Sequence, residues 1–196
     1  MFYNPELMAA NARTSLLGKD KAAAPINQID AVESRWFAVY THYKREKLVR
    51  DRLNSQGVEN FLPLLHYTRH YRRKVREVQL PLIHHYIFVR VTQSEYTKVL
   101  RTPGVISFLR IGRDLLSIPE TEIHILQRVI GQKRELIAEP SRLCPGQPME
   151  VIAGQLTGLR GKFIEALNPN NFVIELEQLG MDLRMQIDPA LLQAIK

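Results

Sequence analysis

The sequence predicts an α+β fold in which an antiparallel sheet flanked by helices is followed by a small β-barrel. Strand and helix patterns alternate through the middle of the chain, and four short strands with Gly or Asn turns fill its last part. We therefore divide the 196 residues into an N-terminal extension (1–34), an α/β domain (35–132), a linker (133–146) and a barrel domain (147–196).

The composition narrows the class of protein. A single cysteine, Cys144, cannot form an internal disulfide and is too few for a cysteine-ligated zinc site. The chain has no apolar run of membrane-spanning length, and its start lacks the pattern of a secretory signal. We find no phosphate-binding glycine loop and no catalytic constellation. We expect a cytoplasmic protein that is not an enzyme and uses neither a cofactor nor a metal.

Periodicity places the elements of the α/β domain. The first strand, Arg35–Tyr40, is rich in aromatic and β-branched residues. Leu48, Val49 and Leu53 form one apolar stripe, which predicts a helix. The expected elements, in chain order, are strand 35–40, helix 44–55, strand 58–65, a hairpin tip at 69–76, return strand 85–91, helix 94–101, strand 105–111 and a helix after Glu120. The barrel strands are expected at 149–153, 162–167, 172–177 and 183–187.

Two apolar sheet faces are the most informative pattern, because an antiparallel sheet with helices on one side normally shows water a polar second face. Strand alternation gives one aliphatic face and one aromatic face. The aromatic face collects Trp36, Tyr40, Tyr86, Phe88 and Phe108. The chain itself covers these rings, or a partner protein does, or nucleic-acid bases stack on them. For Trp36 we favour burial by the chain itself.

Positive charge is concentrated in the middle of the chain. Residues 35–140 hold 19 basic and 10 acidic residues, a net charge of +9, whereas both ends are close to neutral. This imbalance favours a polyanionic partner, because each Lys or Arg near a phosphate adds a salt-sensitive contribution to affinity. The cations form a helix patch (Lys44, Arg45, Lys47, Arg50 and Arg52) and a hairpin-tip patch (Arg69, Arg72, Arg73, Lys74 and Arg76). A solvated hairpin without a ligand is the alternative for the tip.

Several segments resemble one known family. Trp36–Thr41, Tyr86–Val89 and Thr102–Val105 resemble the N-terminal domain of NusG proteins. The stretch Val151–Gly161, with Gly154, Gly158 and Gly161, is similar to the KOW motif. The resemblance implies a NusG-type α/β domain followed by an SH3-like KOW barrel. Val105–Gly112 is closest to the specialised paralogues of polysaccharide operons, represented by RfaH. His84-His85 and Gln155 depart from the family pattern.

What the resemblance implies is a monomeric transcription elongation and antitermination factor. Its aromatic hollow (Tyr40, Tyr86, Phe88 and Phe108) would bind the clamp helices of RNA polymerase and raise processivity. The basic patches would contact DNA near the transcription bubble, and the KOW domain would dock on Rho or a ribosomal protein. The alternative function is an RNA-binding module that stacks bases on the same aromatic face.

Overall fold

A computed structural model of the chain forms two compact units. The first unit comprises residues 26–109 and 115–119, and the second includes residues 110–114 and 120–196. The structure describes residues 24–71, 74–130, 136–140, 146–164, 171–176 and 179–195.

The first unit is a mixed α/β arrangement built on a four-stranded antiparallel sheet of order β2-β5-β1-β6. Strands β3 and β4 form a separate two-stranded ladder. The elements are β1 (Arg35–Thr41), α1 (Glu46–Ser55), β2 (Glu59–Phe61), β3 (Leu64–Tyr71), β4 (Lys74–Pro81), β5 (Tyr86–Val91), α2 (Gln93–Leu100) and β6 (Val105–Phe108). The α+β fold class is confirmed.

The hydrophobic core lies on the aliphatic face of this sheet. Phe37, Val39 and Val89 are fully buried and belong to one cluster with Val49 and Leu53 of α1. The two α1 residues are four apart and lie on one helix face, so two of the three residues of the predicted stripe are buried, whereas the third, Leu48, is exposed. Complete burial of side chains of this size contributes about 1.5–3 kcal/mol each.

The last part of the predicted N-terminal extension belongs to the first unit. Gln28 N–H donates to the Leu115 carbonyl at 2.9 Å, and Leu115 N–H donates to the Ile26 carbonyl at 2.8 Å. Gln93 N–H donates to the Asp30 carbonyl at 2.7 Å. These backbone bonds join Ile26, Gln28 and Asp30 of the predicted extension to the first unit, while residues 1–23 lie outside the described part of the chain.

The Asp30 side chain stabilises the turn that follows it. Its Oδ1 accepts hydrogen bonds from the N–H groups of Val32 and Glu33, each at 2.8 Å. The bonds from Glu33 and Val32, with a smaller contribution from Arg35, hold the pKa of the Asp30 carboxyl below its ordinary value. The ionised carboxylate is therefore the form that this turn prefers.

The hairpin is present, but its return strand was predicted wrongly. Strands β3 and β4 pair from Leu64 opposite Pro81 to Tyr71 opposite Lys74. The residues predicted to return from the tip instead form β5, which pairs with β1 and β2 in the main sheet. The apolar pattern of β5 was recognised correctly, but that of β4 was hidden by its charged residues.

The second unit consists of a helix and a six-stranded antiparallel sheet of order β12-β8-β9-β10-β11-β7. Its elements are α3 (Glu120–Ile130), β7 (Leu136–Pro140), β8 (Gln147–Val151), β9 (Arg160–Ile164), β10 (Asn171–Leu176), β11 (Met181–Gln186), a 3-10 turn (Pro189–Leu191) and β12 (Leu192–Ala194). The predicted linker, 133–146, contains β7, which pairs with β11. This strand corrects the linker prediction, and β12 was not predicted.

Candidate functional site

Strand register confirms that four of the five residues predicted for the aromatic face, Trp36 included, lie on one face of the main sheet. Register places Tyr40 opposite Tyr86 and Ala38 opposite Phe88, so Tyr40, Tyr86 and Phe88 share a face. The Tyr40 and Tyr86 ring centroids are 5.4 Å apart. Phe61 of β2 also lies on this face, opposite Phe88 and 6.2 Å from its ring. Sequence reasoning missed Phe61 because the register of β2 is set by the neighbouring strand.

Phe108 lies on the other face, so its predicted position was wrong. Strand β6 pairs Phe108 with Val39, and Ser107 takes the place opposite Tyr40. The Phe108 ring contacts the core, 4.5 Å from Tyr96 and 6.0 Å from Phe37 between centroids. Alternation within β6 was recognised, but the register between strands, which is irregular after Tyr40, decides which face each residue joins.

Burial by the chain itself, one of the three alternatives for the aromatic face, holds for most of its rings. Phe88 is 0%, Tyr86 3% and Trp36 7% exposed, all within a single chain. Tyr40 remains half-buried at the edge of the face. Burial of Trp36 by the chain itself was predicted and is confirmed. In this conformation a partner reaches Tyr40 but not the rings of Tyr86 and Phe88.

A shallow cationic hollow lies against helix α1. Its volume is about 460 Å³, and its lining residues are His42, Arg45, Leu48, Arg52 and Gly104. No acidic residue is among them. Arg45 is exposed, and the Arg52 guanidinium donates to the Pro103 carbonyl, which fixes its head group at the rim. The hollow therefore suits an anion, with Arg45 from the predicted patch as one of its cations.

Gly104 shows why the loop beside the hollow needs glycine. Its φ is +100°, and a Cβ at this position would lie 2.8 Å from Val49 Cγ2. Its carbonyl also accepts a hydrogen bond from His42 N–H at 2.9 Å. The loop thus packs directly on α1, and the Pro-Gly pattern in the sequence was the signal for it.

The other cations of the helix patch differ in their exposure and in their ion pairs. Lys44 is exposed, whereas Lys47 and Arg50 are half-buried. Arg50 is paired with Asp51, at 2.8 Å between the guanidinium and the carboxylate. Asp51 therefore offsets part of the charge of the predicted helix patch.

An aromatic ladder stands beside the hollow. The His85 ring lies between Tyr43 and Tyr40, with centroids 5.6 Å and 5.5 Å away. Tyr43 is 67% exposed, and the Lys44 ammonium lies 4.8 Å from its ring centroid. Sequence reasoning missed Tyr43 as a site residue and treated His85 only as a departure from the family pattern.

The ladder is held by a strained and well-anchored backbone. Lys44 and His85 are the two non-glycine residues with positive φ in the described chain, at 56° and 69°. His85 N–H donates to the buried Glu46 carboxylate at 2.8 Å, and Thr41 N–H donates to the His85 carbonyl at 2.8 Å. Such backbone conformations cost roughly 1–3 kcal/mol each, and they cluster at functional sites.

Most side chains of the hairpin-tip patch lie outside the described part of the structure. Arg72 and Arg73 lie outside the described residues. The backbone of Arg69 and Lys74 is described, but their side chains are not. The side chain of Arg76 is described and is exposed. The nucleic-acid role of the tip therefore stays a prediction.

The three KOW-motif glycines have two different physical roles. Gly154 and Gly158 have φ of +85° and +81° with no atom within 4 Å of an added Cβ. Gly161 lies where strands approach closely, because a Cβ there would meet the Val173 carbonyl oxygen at 2.4 Å and the Phe172 ring at 2.7 Å. Of the three glycines, the first two therefore have positive φ and the third does not.

A helix side chain fixes the turn that these glycines form. The Arg128 guanidinium of α3 donates to the Thr157 carbonyl at 2.8 Å and to the Gln155 carbonyl at 3.3 Å. The glycine turn is therefore anchored to α3 within the second unit.

The described residues contain no group of three or more His, Cys, Asp or Glu side chains suited to holding a metal ion. The helices that the structure describes are all too short or too polar to cross a lipid bilayer.

Comparison with known proteins connects the first unit to one family. Residues 34–127 match the family model described as "Transcription termination factor nusG". No curated protein matches the chain. A solved structure described as "Domain interaction in Thermotoga maritima NusG" is 17% identical, covers 85% of this chain and 99% of that chain, and has a TM-score of 0.49. Another, "Crystal Structure of MjSpt4:Spt5 complex conformation A", is 17% identical, covers 82% and 98%, and has a TM-score of 0.29. Residues 34–127, which span the main sheet, α1 and α2, are thus similar to the NusG family.

Proposed function

We propose that this chain is a transcription elongation and antitermination factor that binds RNA polymerase and increases its processivity. The observation that carries the proposal is the NusG-family match over residues 34–127, which spans the whole four-stranded sheet. The proposed setting is the bacterial cytoplasm, with the protein acting as a monomer without a cofactor or a chemical step. Operon-specific action follows from the resemblance to the polysaccharide-operon paralogues.

The polymerase clamp is the proposed partner of the aromatic face. Tyr40 lies at the accessible edge of this face, whereas Tyr86 and Phe88 are buried. Binding through the whole face therefore requires a second conformation in which these two rings become exposed. Phe108 packs in the core and supports the face from behind rather than contacting the clamp.

DNA near the transcription bubble is the proposed partner of the basic residues. The hollow lined by Arg45, Arg52 and His42 supplies the anion contact, with Lys44 and Lys47 nearby on the same loop and helix. The hairpin-tip cations would contact the upstream duplex. The second unit, whose glycines fit the KOW pattern, would dock on Rho or a ribosomal protein.

The alternative RNA-binding function loses its original support. Bases stack on exposed ring faces, and Phe88 and Phe108 offer none, at 0% and 3% exposure. Nucleic-acid contact in this conformation belongs to the α1 side of the molecule rather than to the aromatic sheet face.

Binding of purified bacterial RNA polymerase to the full-length chain tests the proposal. Fluorotryptophan placed at Trp36, the single tryptophan, reports on the aromatic face because this residue is buried there. We expect its 19F signal to shift when polymerase binds and exposes the face. Tyr40→Ala should weaken polymerase binding without unfolding the chain, because Tyr40 is only half-buried. Tyr67→Ala, at an exposed tyrosine of the hairpin, is the matched control and should leave binding unchanged. Polymerase binding that leaves the Trp36 signal unchanged would contradict use of this face.

A further inference from the structure

The Trp36 side chain holds a hydrogen-bond donor that the described fold leaves without an acceptor. Trp36 is 7% exposed, and its indole Nε1 lies below the surface with no hydrogen-bond partner among the residues that the structure describes. An indole N–H can only donate, and in folded proteins a buried Trp N–H usually finds an acceptor. This N–H is therefore an exception that needs a physical reason.

Trp36 lies on the aromatic face, toward the opposite end of β1 from Tyr40. The two residues share this face because they are four positions apart on one strand, which separates them by roughly 13 Å. Between them lies Ala38, whose register partner is Phe88. The Trp36 carbonyl is already paired, since it accepts the Ile118 N–H at 2.7 Å. The unpaired donor is thus the indole itself, and it lies within the surface proposed to contact the polymerase.

We propose that the Trp36 N–H is reserved for an acceptor oxygen on RNA polymerase and forms its hydrogen bond only in the complex. The inference rests on the proposed function and deepens it, because it assigns a specificity-determining atom to the aromatic face. The Phe88 ring carries no polar atom, so it accepts any apolar partner of suitable shape. The Trp36 donor is more selective, because a partner without an acceptor at that point would leave the N–H buried and unpaired in the complex as well.

The unpaired donor also favours opening of the aromatic face. A donor that is buried without a partner costs free energy, and this cost is recovered when the N–H meets a partner oxygen. The conformation in which Trp36, Tyr86 and Phe88 are covered therefore carries a penalty that the bound conformation removes. A partner with a matching acceptor gains from this difference between the two conformations, and a partner without one does not.

Replacement of the indole N–H group tests the inference in the full-length chain, because Trp36 is its single tryptophan. Biosynthetic incorporation of benzothienylalanine puts sulfur in place of the N–H at this position alone. A thienopyrrole analogue of tryptophan, which keeps the N–H and carries sulfur in its other ring, is the matched control. We expect the benzothienyl chain to be at least as stable as the thienopyrrole chain, since the free protein loses no hydrogen bond. Its affinity for purified RNA polymerase should be roughly 2- to 10-fold lower, the value of one hydrogen bond.

Two results would overturn the inference. A benzothienyl chain that unfolds more easily than the thienopyrrole chain would show that the N–H already bonds to the free protein or to a buried water. Equal affinity of the two analogue chains for polymerase would show that no acceptor meets the N–H in the complex. Neither result bears on the proposed function, which depends on polymerase binding by the unaltered chain.

Discussion

Substitution of Gly161 by alanine tests the structural role of the glycine motif most sharply. The added Cβ would lie 2.4 Å from the Val173 carbonyl oxygen, and real Cβ atoms do not approach within 3.0 Å. Strands β9 and β10 must therefore separate by about 0.6 Å at this point, the difference between these two distances. Overpacking of this kind costs typically about 1–3 kcal/mol. In a unit of this size each kcal/mol lowers the melting temperature by roughly 4–8 °C.

Gly154 provides the matched control, because glycine is required there by the backbone conformation and not by lack of space. It has φ of +85° and open space around an added Cβ. Gly154→Ala should cost roughly 1–2 kcal/mol through the backbone alone, and Gly154→Asn should cost less because asparagine adopts positive φ more readily. At Gly161, asparagine should be at least as harmful as alanine.

Hydrogen exchange resolved by peptide is the assay for this comparison, since a chain with two compact units need not unfold in one step. Gly161→Ala should accelerate amide exchange in β9 and β10 without affecting β1 and β5. Unchanged amide exchange in β9 and β10 of Gly161→Ala, or a smaller cost for Gly161→Asn than for Gly161→Ala, would refute the steric argument.

Three further predictions follow from the described contacts. Arg45→Ala and Arg52→Ala should each reduce the slope of log affinity against log salt by roughly 0.7 on single-stranded DNA, and unchanged slopes would exclude the hollow as a phosphate site. NMR titration should find the pKa of Asp30 below its ordinary value of 3.8. The Asp30 carboxylate therefore stabilises the turn fully at pH above 3.8, and this stabilisation is lost as the pH falls through the lowered pKa. Asp30→Asn should remove this pH dependence. Arg128→Met should accelerate exchange of amides in the glycine turn, because two carbonyls lose their donor; unchanged exchange there would show that α3 does not anchor the turn.

Elements with a strong local pattern were predictable. The aromatic and β-branched residues of β1 define a strand wherever they occur, and Arg35–Thr41 forms one. Gly154 and Gly158 were predictable as turn residues because positive φ is a local requirement. Strands β7 and β12 were missed because both are short, lie at the edges of the second sheet and lack apolar alternation.

Features that depend on neighbouring strands were not predictable. The face of Phe108 is set by its pairing with Val39 across an irregular register, which no single strand encodes. Burial of Tyr86 and Phe88 depends on which part of the chain covers the sheet. The Tyr43–His85 ladder joins residues 42 positions apart, so the sequence shows two isolated residues where the fold brings two rings together.

Direct measurement of the affinity of the full-length chain for purified bacterial RNA polymerase tests the central claim. The account predicts specific binding that Tyr40→Ala weakens and that Arg45→Ala, in the cationic hollow, leaves intact in the absence of DNA. A folded chain that shows no affinity for polymerase would contradict the account.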